Sequence, residues 1–194
     1  MTRSTVAAAA VLAALAFAPS AGAADLNPPP PDIYACNAVG GGTICRAQQF
    51  EQHEPAPTDV MCGDVGLYDQ GDVYQDFTRR YDADGNWVER VIRERWLNAQ
   101  WSNPVTGNVI PYTQRGITTD RLSVPGDDST IVEKLTGENQ YTDPVTHKKV
   151  LHSVGLTIFG PDGLIQEAGQ QPFIERYIIG DDSAFDAICS ALAR

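Results

Sequence analysis

Apolar positions in this chain follow different patterns in different stretches. From Val6 to Ala18 they run together in an unbroken alanine-rich block, and from Asn27 to Thr58 prolines interrupt them. From about Asp72 onward they alternate with polar residues in short runs rich in Val, Ile, Thr, Tyr and Trp. A period of two predicts strands with one buried face. Turn signals punctuate these runs at Asp82-Ala83-Asp84-Gly85, Asn103-Pro104-Val105-Thr106-Gly107, Pro125-Gly126-Asp127-Asp128, Asp143-Pro144 and Gly160-Pro161-Asp162-Gly163. Their starts lie 17 to 22 residues apart. The pattern predicts an all-β antiparallel up-and-down meander of six to eight strands. A closed or nearly closed barrel is the favoured arrangement because closure removes exposed edges, with a two-sheet sandwich as the alternative.

The first hairpin can be read in register. A three-residue loop, Ala83-Asp84-Gly85, with Gly85 left-handed, sets Asp82 opposite Asn86. Tyr81 then faces Trp87, Arg79 faces Glu89 and Phe77 faces Val91, an aromatic, an ionic and an apolar pair on one face. That face reads as the inside. Val88, Val91, Ile92, Arg95, Trp96 and Ala99 also fit helical spacing, but β-branched content and the preceding turn favour a strand over residues 87–101. Glu51 to Thr58, polar and holding two prolines, reads as loop. A short helix is predicted at the C-terminus, where Asp182-Ser183 caps a turn carrying Phe185, Ile188 and Leu192, with Cys189 beside them.

The apolar block changes the picture of location. Arg3, the Val6–Ala18 core, the break at Pro19-Ser20 and the small-residue pattern Ala21-Gly22-Ala23 together read as a signal peptide over residues 1–24. The block is too short to span a bilayer, which takes roughly 20 apolar residues. The expectation is therefore a secreted, extracellular protein with no stable membrane insertion after cleavage. Residues 25–35, with four consecutive prolines, form a stiff extended segment, and 36–194 a single domain.

An exported chain with Cys36, Cys45, Cys62 and Cys189 predicts two disulfides, for which three pairings exist. The flexible Gly40-Gly41-Gly42 turn could set Cys36 opposite Cys45, leaving Cys62 to tie down Cys189. No Cys-x-x-Cys is present and the histidines lie far from the cysteines, so no metal site and no cofactor is expected. Asp82-x-Asp84-Gly85-Asn86 begins like a calcium loop but lacks the later acidic ligands, and turn chemistry accounts for it. With 14 Lys and Arg against 25 Asp and Glu the net charge is -11, which argues against a nucleic-acid partner or an anionic membrane.

Candidate chemistry is sparse. There is no Gly-x-Ser-x-Gly, His-Glu-x-x-His, P-loop or dinucleotide fingerprint. Gly85-Asn86-Trp87 matches the short lipocalin Gly-x-Trp tripeptide, yet it follows a hairpin turn well inside the chain and assigns no family. Likeness to lipocalin architecture is thus a matter of strand arrangement only. Val150, His152, Val154, Leu156 and Ile158 alternate onto one face, read as buried, which makes His152 either a core histidine or a pocket base. Arg79, Glu89, Arg93 and Arg95 fall on the face read as inward, giving a partly polar interior. Such an interior suits a small amphipathic or anionic ligand lined by Phe77, Arg79, Tyr81, Trp87, Glu89, Arg93 and His152. The alternatives are a small isomerase or cyclase using His152 as acid or base with Arg93 steadying charge, and an extracellular interaction module that uses its outer face.

Overall fold

The computed structural model describes residues 24–173 and 183–193. The predicted signal segment, apart from Ala24, and the proposed helix-capping Asp182 lie outside the described residues. No helix among the described residues is long and apolar enough to cross a membrane.

Among the described residues eight antiparallel strands form one meander in strict chain order: β1 (Ala35–Val39), β2 (Gly42–Cys62), β3 (Val65–Tyr81), β4 (Trp87–Ser102), β5 (Val109–Leu122), β6 (Ile131–Thr142), β7 (Lys149–Gly160) and β8 (Gly163–Gln170). The sheet is open. Among the described residues β1 and β8 are edges that pair with one neighbour each, so the meander expected from the pattern is present but its sheet is not closed into a barrel. Near the C-terminus of the described residues lies a short helix, α1 (Asp186–Leu192).

Two turns show how residue chemistry ends the strands. Asn103 and Asp143 each use the side-chain Oδ1 to accept from the backbone N–H groups two and three residues on. The left-handed position that closes each turn is filled by Gly107 in one and by His147 in the other. The Asp82 turn likewise spends its carboxylate on the N–H groups of Asp84 and Asn86, with Gly85 left-handed as expected.

Three expectations need correcting. Residues Glu51 to Thr58 belong to β2, not to a loop. Among the described residues that strand has no partner on its outer side beyond Arg46, so Pro55 and Pro57 cost it no ladder bond there, and bulges near both absorb the misfit. In β4, Tyr81 does face Trp87, but a register shift follows at once. Arg80 therefore meets Glu89, Arg79 meets Arg90 and Phe77 meets Ile92. In β7 the buried row is Leu151, Ser153 and Thr157, while Val154 is 40% exposed. A one-residue change of register or face inverts every side chain that follows.

The core sits at one end of one face. Val60, Leu67, Trp101, Ile110, Tyr141 and Leu151, one from each of β2 to β7, join Phe185, Ile188 and Leu192 in a single apolar cluster. Laid flat, six strands would span about 24 Å, whereas a seven-residue helix is about 10 Å long. The sheet must curl for β2, bonded to α1 through Cys62–Cys189, and β7 to reach the same helix. The second disulfide, Cys36–Cys45, joins β1 to β2 across the Gly40-Gly41 turn. A smaller cluster of Cys45, Tyr81 and Trp87 marks the other end of the inner face, where Leu26 and Tyr34 of the N-terminal segment close it.

Candidate functional site

Between those closed ends the inner face is open. Its middle holds a cavity of about 250 Å³. The floor follows from three glycines placed at the centre of strands: Gly116, Gly137 and Gly155 are in register across β5, β6 and β7. Glycine within a strand leaves no side chain above the sheet and allows close approach. At Gly137 an added Cβ would lie 2.8 Å from the Arg115 carbonyl oxygen, so this crossing is too tight for any other residue. The row continues to Gly169 on β8.

Around that floor stand Ile92, Leu135 and Phe173 as apolar walls, with Gln75, Glu94, Gln114, Asn139, Ser153 and Thr157 as polar ones. Glu94 anchors the polar side. Its Oε1 accepts from Trp96 Nε1 at 2.7 Å and Gln114 Nε2 at 3.0 Å, and its Oε2 from Gln75 Nε2 at 2.7 Å. The carboxylate is thus satisfied by the protein. Both glutamines spend an N–H on it, and their carbonyl oxygens remain as acceptors. Thr157 is 1% exposed, and its Oγ1 has no hydrogen-bond partner among the described residues. A buried hydroxyl left this way costs roughly 1–3 kcal/mol.

The cations of the inner face are elsewhere. Across β3 to β6, nearer the N-terminal segment, run Arg79, Arg90, Asp120 and Glu133 in register. Arg90 bonds Asp120 through two nitrogens, at 2.5 and 2.6 Å. The Arg79 guanidinium lies between the Tyr34 and Trp87 rings, 5.6 and 5.0 Å from their centroids. Burial, and then the Asp120 carboxylate, push the Glu133 carboxyl above its ordinary range. Burial likewise raises the Tyr34 hydroxyl against the pull of Arg79.

Of the seven expected lining residues, Phe77, Arg79, Tyr81 and Trp87 face inward. Glu89, Arg93 and His152 do not. The register shift after Trp87 turns Glu89 outward, where it bonds Arg80 and Arg121, each at 3.0 Å. The same shift puts Arg93 on the outer face opposite Asp76 and Ile117. His152 faces out on β7 and meets Glu138 at 3.1 Å. Hydrogen bonds from Arg115 and then His152 hold the Glu138 carboxyl below its usual range. The acid–base pairing considered for His152 and Arg93 has no geometric basis, since three strand intervals separate β4 from β7. Among the described residues no three His, Cys, Asp or Glu side chains gather as metal ligands would.

The polar walls were missed because their signal is faint. Gly116, Gly137 and Gly155 each interrupt a β-rich run, and that regularity was the available cue. Compared with protein-family models, curated proteins and solved structures, the chain matches none, and the site's own geometry must carry the functional reading.

Proposed function

We propose that this protein is an exported carrier that binds a small, neutral, amphipathic molecule in the inner-face cavity. The observation that carries the reading is the unpartnered Thr157 hydroxyl in a cavity with a backbone floor, apolar walls and spare amide acceptors. A neutral ligand fits better than an anion. Among the described residues the charged inner side chain at the cavity, Glu94, is negative, while Arg115 and Glu138 at its edge pair with each other on the outer face and Arg90 is engaged with Asp120 outside it. Hydroxyl groups of such a ligand would bond Thr157, Gln75 and Gln114, and its apolar body would lie on Ile92, Leu135 and Phe173. Two disulfides agree with work outside the cell.

The test is an NMR titration of the mature protein with monoacylglycerols and alkyl glucosides below their aggregation concentrations. Saturable shifts should centre on the amides of Gly116, Gly137 and Ser153. Thr157→Val should weaken binding about tenfold while raising thermal stability, because it removes a hydroxyl that costs the free protein energy. Shifts spread over the outer face, or unchanged affinity in the variant, would sink the carrier reading. Gly116→Ala supplies a second check. Its new methyl would have the Thr136 carbonyl oxygen as nearest neighbour at 3.5 Å, so the fold should survive while the floor rises into the cavity.

A further inference from the structure

We propose that the outer face of β2 to β4 is a separate binding surface for an anionic polysaccharide whose sugar units carry carboxylates. The first observation is a local reversal of charge. The chain is acidic, at -11, yet Arg46, Arg93 and Arg95 stand exposed together on this face. None of the three has a carboxylate within 4.0 Å among the described residues, whereas Arg80, Arg115 and Arg121 on the same face are paired with Glu89 or Glu138.

The second observation is an exposed aromatic pair beside them. Phe50 and Tyr74, 47% and 37% exposed, are cross-strand partners with ring centroids 4.6 Å apart. The Arg95 guanidinium lies 5.0 Å from the Tyr74 centroid. A solvent-facing ring offers a flat apolar surface on which the C–H face of a sugar can lie, and arginine binds carboxylate in a forked geometry.

The third is shape. One depression of about 550 Å³ is lined by Arg46, Gln48, Asp76 and Arg93, and a second of about 370 Å³ by Gln48, Phe50, Tyr74, Asp76 and Arg95. They share Gln48 and Asp76, so they form one groove along the strands. Arg93 and Arg95 are two residues apart on one strand, which spaces them by about 7 Å. A groove with repeated cations fits a chain of linked units better than a compact ion. Asp76, which accepts from Gln48 Nε2 at 2.7 Å, interrupts the positive charge and suits a ligand that also presents hydroxyls. Nucleic acid fits poorly, because its dense charge would meet the repulsion of the acidic body.

The test measures retention of the mature protein on immobilised polygalacturonate, with neutral dextran, double-stranded DNA and phosphatidylglycerol vesicles as rival probes. Polygalacturonate should retain it in a salt-sensitive way, and the others should not. The double variant Arg93→Gln, Arg95→Gln should lose about tenfold in affinity, and Tyr74→Ala should lose several-fold. Lys134→Gln, equal to one of those charge changes but on β6, should match wild type, as should the inner-cavity variant Thr157→Val. No retention, equal retention on dextran, DNA or vesicles, or full binding by the double variant would each overturn the proposal. Since Thr157→Val tests the cavity alone, failure on polygalacturonate leaves the carrier reading standing.

Discussion

The inner face is closed at both ends, but with opposite materials. At the α1 end, the Trp101, Tyr141, Phe173 and Phe185 rings pack in stacked, tilted and edge-to-face pairs with centroids 5.0 to 6.0 Å apart. The polar groups there are paired, with Tyr112 donating to Asp69 at 3.0 Å. At the other end Tyr34 of the N-terminal segment lies over Arg79, which is in register with Arg90, Asp120 and Glu133, and among the described residues Arg79 Nε and Trp87 Nε1 have no hydrogen-bond partner. Buried apolar area stabilises the first end by roughly 1.5–3 kcal/mol for each large side chain. The second spends part of its burial on desolvating charge. Stability is thus concentrated at the helix end, and the cavity lies between a rigid plug and a costlier cap.

The largest test of that contrast is the disulfides. Cys62–Cys189 closes a span of 127 residues. Replacing both cysteines by serine should cost about 5 kcal/mol in the loop-entropy account, and near-ultraviolet circular dichroism should show the aromatic signal weakening as α1 loosens. Cys36–Cys45 spans 9 residues. Its double serine variant should cost about half as much. Equal losses in thermal or urea melts would show that the two ends share the load.

Next in size is the charged row. Asp120→Leu leaves Arg90 without its carboxylate and should cost about 2–4 kcal/mol. Arg90→Met in the Asp120→Leu background should recover much of that loss, since an apolar pair has no charge to desolvate. If the double variant is worse than the single one in denaturant melts, the ion pair is a net source of stability and the two ends are less different than their chemistry suggests.

The contrast between the ends also explains what could be read from sequence. The meander, the strand at Trp87–Ser102, the C-terminal helix with Phe185, Ile188 and Leu192 buried, and the cysteine pairing all follow from local signals: alternation, turns and spacing. The polar half of the inner face depends on register. One bulge beside Trp87 exchanged Glu89, Val91 and Arg93 for Arg90, Ile92 and Glu94 on the inner face. In β7 the rule that apolar residues point inward failed. The curled sheet meets Gly137 there and accepts Ser153, Gly155 and Thr157, leaving Val154, Leu156 and Ile158 outside. Openness of the sheet was equally invisible, because closure depends on whether β1 and β8 meet, and no local residue pattern encodes that.

The smallest effect is the most specific to the charged end. An ordinary glutamate titrates near 4.5, and burial with Asp120 raises Glu133 above that. A raised carboxyl favours the protonated form in the fold. Its contribution to stability is therefore fully present below the ordinary value and is lost as pH rises through the raised one. Glu133→Gln keeps the side chain neutral at every pH, so it should match wild type near pH 4 and exceed it near pH 7. Glu133 is only partly buried, and solvent screening should keep the gain under about 1 kcal/mol. Asp69, also raised by burial, moves wild type and variant alike, so the difference between their melting temperatures isolates Glu133. A difference that grows toward acid pH, or stays flat, would mean that this end holds its carboxylates charged without cost. The contrast with the aromatic end would then rest on packing alone.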